Sequence, residues 1–156
     1  MPKRRYLDKL VTDDQKGDET DVALIDSVRK FFAADGLVKF AYLFGSMASG
    51  MAGPLSDLDL AVYLDRRLDS FNYRLRLMSS LPRLLKSEKF DLVVVNSAPV
   101  VLKYEVIKNG ILLKDDRPRR VMFEAAVLQE YLDTAYLRKV QREYIRQKIR
   151  EESYFG

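Results

Sequence analysis

Apolar positions along this chain recur in two rhythms, and the switches between them divide it into elements. Val22, Ile25, Val28 (or Arg29) and Phe32 repeat at helical spacing behind Thr20, which suits an N-cap, and Gly36 suits the stop. In Val38–Phe44, Val38, Phe40, Tyr42 and Phe44 alternate with Lys39, Ala41 and Leu43, a second set that is itself largely apolar. That pattern predicts a strand covered on both faces. Gly45–Ser46 ends it, and the small-residue stretch Met47–Pro54 reads as a helical turn and loop. Ser56–Leu64 reads as a strand with Leu58, Leu60 and Val62 on one face and Asp57, Asp59 and Ala61 on the other. A helix capped by Asp69 or Ser70 carries Leu75, Met78, Leu81 and Leu85, with Pro82 expected to break or kink it.

Phe90–Val95 is a further strand. Asn96 or Ser97 opens a helix that tolerates Pro99 near its start and carries Leu102, Val106 and Ile107 to Asn109–Gly110. Ile111–Leu113 is a short strand, and from Pro118 to Ser153 a long helix lines up Val121, Ala125, Leu128, Leu132, Tyr136 and Val140 on one side. The order predicts an α/β (α+β) fold with a small sheet covered by helices, with no repeat and no second domain. Residues 1–19 read as a polar, flexible lead-in, 20–116 as the core, and 117–156 as a C-terminal helix packed on or extending from it.

Composition narrows the chemistry. The 156 residues contain no cysteine and no histidine, which removes thiolate sites, cysteine nucleophiles and every triad built on imidazole. What remains is oxygen chemistry, suited to magnesium, manganese or calcium rather than zinc. The net charge of +4 is compatible with an anionic ligand. No apolar run reaches membrane-span length and no signal-peptide pattern opens the chain, so a cytoplasmic protein is expected.

Asp57 and Asp59 lie two apart on a predicted strand and so share a face, where a divalent cation would relieve their repulsion. Taken alone, such a pair usually marks a solvated turn. Gly45–Ser46 adds a strand-to-helix turn whose glycine permits close backbone approach and whose free amides and hydroxyl can receive phosphate. Asp91, opening the apolar run Leu92–Val95, is the third carboxylate.

Together, G-S-x10-D-x-D followed by an aspartate in a later apolar strand resembles the DNA polymerase β-like nucleotidyltransferase superfamily. Within it the chain is most similar to the minimal nucleotidyltransferase (MNT) antitoxins, partners of HEPN-domain toxins. The likeness covers residues 20–115. It implies a small mixed sheet and a magnesium-dependent transfer of AMP from ATP to a tyrosine hydroxyl of the toxin, with release of pyrophosphate. It further implies that Asp57, Asp59 and Asp91 ligate two Mg2+ ions, that Asp91 assists in taking the attacking proton, and that Gly45 and Ser46 hold the nucleotide. The implied partner is a HEPN toxin in a hetero-oligomer; nucleic acid is not expected as the direct substrate. Members often carry arginine where Ser49 stands. Two alternatives stay open: a non-catalytic antitoxin that neutralises by binding, and a nucleotidyltransferase acting on a small molecule. The basic stretch 138–150, with Tyr131, Tyr136, Tyr144, Tyr154 and Phe155 around it, reads either as a solvated face or as a docking surface for an acidic partner.

Overall fold

Helix α1 (Asp18–Ala34) leads to β1 (Val38–Phe44), the single turn α2 (Gly45–Ser49), β2 (Leu58–Leu64), α3 (Ser70–Leu85), β3 (Phe90–Val94), α4 (Val100–Asn109), β4 (Ile111–Lys114), α5 (Arg117–Asp133) and α6 (Ala135–Ser153). This computed structural model describes residues 18–51, 56–86 and 89–153, so most of the N-terminal lead-in, part of the loop to Pro54, Tyr154 and Phe155 lie outside the described residues. The four strands lie in the order β3-β2-β1-β4. β1 runs antiparallel to β2 and to β4, whereas β2 and β3 are parallel, with α3 as the crossover that a parallel pair requires. The sheet is mixed, as the family resemblance implied.

Both sheet faces are covered, which is why both sets of alternating residues are apolar. Ile25, Val28 and Phe32 of α1 and Tyr73, Leu77, Leu81 and Leu85 of α3 pack on Ala41, Leu43, Leu60, Val62 and Leu92. On the opposite face Phe40, Tyr42, Ala61 and Tyr63 meet Val106 of α4 and Phe123 of α5. Val38 joins the first face and not that of Phe40, because the β1–β2 register slips between these residues, from Val38↔Leu64 to Phe40↔Tyr63. An extra residue on one strand reverses the side-chain alternation at that point.

Several element boundaries differ from expectation. α1 begins at Asp18, which puts Thr20 inside the helix rather than at its cap. α4 begins at Val100 behind Pro99, not at Asn96 or Ser97. Asn96 instead pairs its side chain with both backbone groups of Leu64, at 2.8 and 2.9 Å, so its polar atoms extend β2 instead of capping a helix. Asp69 caps α3 by accepting from the Phe71 and Asn72 amides, and the helix runs unbroken through Pro82 to Leu85. Leu75 faces solvent; Tyr73 and Leu77 hold the buried stripe in its place.

The long C-terminal helix is present but interrupted at Thr134, whose backbone (φ −91°, ψ 4°) leaves helical geometry. Its outward side is the one the periodicity marked as apolar: Val121, Leu128, Leu132, Tyr136 and Val140 are exposed. A polar network holds the other side of α5 inward. The buried phenol of Tyr42 donates to Glu124, and Arg120 bridges Glu124 and Asp115 at 3.1 and 2.7 Å. Val127 is buried on this inward side and Tyr131 stacks on Tyr104 with ring centres 3.8 Å apart. Periodicity identifies a stripe, not the direction it faces. Among the described residues no helix is long and apolar enough to cross a membrane.

Candidate active site

Three neighbouring strands bring the predicted residues to one end of the sheet. Phe44, the last residue of β1, pairs with Asp59 of β2, and Asp59 pairs in turn with Asp91 of β3. The register therefore aligns Gly45, the residue after Phe44, with two carboxylates from adjacent strands. Asp57 lies just ahead of β2 and is exposed.

Gly45 is fixed by contact as well as by conformation. Its φ is +71°, where an L side chain is strained, and a Cβ built on it would stand 2.0 Å from Oδ2 of Asp59. The Asp59 carboxylate thus rests directly against the start of α2. The first-turn N–H groups of such a helix have no intrahelical partners, and α2 receives no side-chain cap. Ser46 follows, half-exposed. Ser49, at the position where the resembled family carries arginine, turns its hydroxyl back onto the carbonyls of Gly45 and Ser46, both at 3.1 Å.

The electrostatics are those of a crowded acidic site. Burial raises the pKa of Asp59 above the ordinary carboxylate value, and the charges of Asp91 and Asp57 push it further in the same direction. Asp91 is exposed, and its Oδ1 accepts from the Leu92 amide at 2.8 Å. Arg74 of α3 reaches this oxygen at 3.9 Å while its Nε donates to the Leu92 carbonyl at 2.8 Å. Sequence reading passed over Arg74; its only signal was a position beside the buried Tyr73–Leu77 stripe on the helix that joins the two carboxylate-bearing strands.

An all-oxygen donor set under mutual repulsion has the chemistry for a hard divalent cation. As the side chains stand, no group of three acidic residues among the described residues is gathered closely enough to hold one. The carboxyl of Asp91 is instead turned to its own strand and Arg74. Asp57, Asp59 and Asp91 would hold such an ion, and the start of α2 would face a phosphate-bearing ligand.

Comparison with known proteins places the fold. Residues 26–119 match the family described as polymerase beta, nucleotidyltransferase. A solved toxin–antitoxin structure with AMP-PNP is similar at a TM-score of 0.67 and 26% identity, over 78% of this chain and 97% of that one. An MntA–HepT toxin–antitoxin structure matches at 0.62 and 24% identity, over 79% and 97%. An MNT antitoxin in complex with the tri-AMPylated HEPN toxin of Shewanella oneidensis matches at 0.62 and 23%, over 81% and 98%. No curated protein sequence gives a significant match. With the sheet order, the glycine-braced carboxylate and the family match over most of its length in agreement, the chain belongs to the polymerase beta nucleotidyltransferase family.

Proposed function

We propose that this chain is a magnesium-dependent adenylyltransferase that acts as an antitoxin, transferring AMP from ATP to a tyrosine hydroxyl of a HEPN-domain toxin in the cytoplasm. The observation that carries the reading is the seating of Asp59 against Gly45 with Asp91 in register beside it. It supports the reading by bringing two carboxylates beside a strand-to-helix turn whose free amides suit phosphate. The AMP-PNP in one similar structure and the AMPylated toxin in another suggest the donor and the acceptor.

In this reading the tyrosine oxygen forms a bond to the α-phosphorus of ATP, the α–β bridging bond breaks, and pyrophosphate leaves. Bound Mg2+ would supply neutralisation of charge on the phosphates. Asp57 and Asp59 hold the ion-binding oxygens in place, Asp91 receives the proton of the attacking hydroxyl, and Gly45 and Ser46 seat the triphosphate. In this reading residues 20–116 are the transferase core, and 117–156 are the C-terminal helical region packed on or extending from it.

Mass spectrometry of a HEPN-domain toxin co-expressed with this chain tests the proposal. The expected result is an increment of one or more AMP units, lost when Asp57→Ala is combined with Asp59→Ala. A neutralised toxin of unchanged mass would point to an antitoxin acting by contact alone. Label appearing only on a small acceptor would move the protein to the other alternative.

A further inference from the structure

The family match ends at residue 119, so α6 and nearly all of α5 lie beyond it. Along these helices Leu128, Leu132, Tyr136, Val140 and Tyr144 are spaced four apart, and all five are exposed, Leu132 and Tyr136 at 70% and 73%. At the rise of an α-helix this ladder is about 24 Å long. An exposed apolar surface of that extent marks an interaction site more often than a solvated one.

The ladder is held, not left to fray. Arg138 lies 3.8 Å over the ring of Tyr131, which stacks on Tyr104 of α4. The same guanidinium donates to the Tyr131 carbonyl at 2.5 Å and to the Thr134 hydroxyl. The interruption at Thr134 is thereby pinned, and α6 projects from a fixed root.

Charge identifies the occupant. α6 carries six cationic side chains and three acidic ones. On a helical projection of α6, Lys139, Arg146 and Arg150 border one edge of the ladder, with Glu143 among them, and Lys148 borders the other. A second copy of this chain, laid along it in either direction, would set edges with an excess of cations against edges of the same kind. Nucleic acid would meet an apolar centre where it needs cations. A helix with its own apolar face and acidic borders satisfies both features.

We infer that the exposed ladder from Leu128 to Tyr144 is the docking surface for an acidic-bordered amphipathic helix of the protein partner; this rests on the antitoxin reading above, with the HEPN toxin as that partner. The surface holds the partner while the carboxylate site acts on it.

The test measures affinity between the full chain and a HEPN-domain toxin. One variant combines Leu132→Glu with Tyr136→Glu, and a second combines Lys139→Glu with Arg146→Glu; circular dichroism confirms folding, which these exposed positions should leave intact. Each variant is expected to lose affinity by about tenfold or more, a loss typical of interface anchors, and the second to lose the salt dependence as well. ATP binding should remain as in the unaltered chain. Wild-type affinity in both variants overturns the inference, as does failure of the unaltered chain to bind. A dimer of the chain alone that the first variant disperses, or binding of the ladder to anionic phospholipid vesicles in preference to the toxin, also overturns it. A complex that needs the ladder but transfers no AMP leaves the docking surface standing and removes the catalytic reading instead.

Discussion

At the scale of single residues, the contact between Gly45 and Asp59 sets the sharpest expectations. Gly45→Ala would drive a Cβ into Oδ2 of Asp59 and strain a φ of +71°. It should cost more than about 1 kcal/mol of stability and remove nucleotide transfer, read by thermal melts and by labelling from α-labelled ATP. Asp59 itself is the carboxylate whose ionised form is disfavoured. Because its folded pKa is raised, its ionised form opposes folding, and this penalty appears as pH rises through that value. In chelator at neutral pH, Asp59→Asn should therefore melt slightly higher than the unaltered chain, by an amount corresponding to about 1 kcal/mol or less, as for half-exposed charges. The difference should vanish below the ordinary carboxylate range. Transfer by the unaltered chain should fall on acidification earlier than an ordinary carboxylate would dictate, since protonation removes the ionised oxygens it needs. These residues were legible in the sequence because their spacing is chemical: a glycine beside a serine, then two acids two apart. Arg74 was not legible, since its contacts with Asp91 and Leu92 exist only once α3 packs over β3.

At the scale of elements, the strands were readable and the helix faces less so. β1 to β4 fall where alternation placed them because a core filled from both sides leaves long apolar runs. Which side of α5 turns inward was decided by polar partners that hydropathy counts as solvent-facing. Tyr42 is buried in the sheet, and burial together with the Glu124 carboxylate raises its pKa, so the phenol stays a donor across the physiological range. Tyr42→Phe would take that donor from Glu124, which Arg120 still engages at 3.1 Å. The expected cost is about 1 kcal/mol, measured by denaturant unfolding. Glu124→Leu should cost more, because it removes the carboxylate that accepts from Tyr42 and pairs with Arg120, leaving Arg120 its contact with Asp115.

At the scale of the whole molecule, no described side chain of α6 is buried. Truncation after Thr134 should thus leave the thermal midpoint within a few degrees, since about 1 kcal/mol shifts a chain of this size by only that much. ATP binding should persist, while co-purification with the toxin is lost. The sheet closes only when β4 pairs with β1, linking Tyr42 to Leu112 across most of the core. Synthesis proceeds from the N-terminus, and this pairing together with the Tyr42–Glu124 bond is available once residue 124 has left the ribosome. Everything that shapes the acidic site is thus made before α6. The nascent chain can complete the body that carries the acidic site before α6, the helix proposed to dock the partner, emerges.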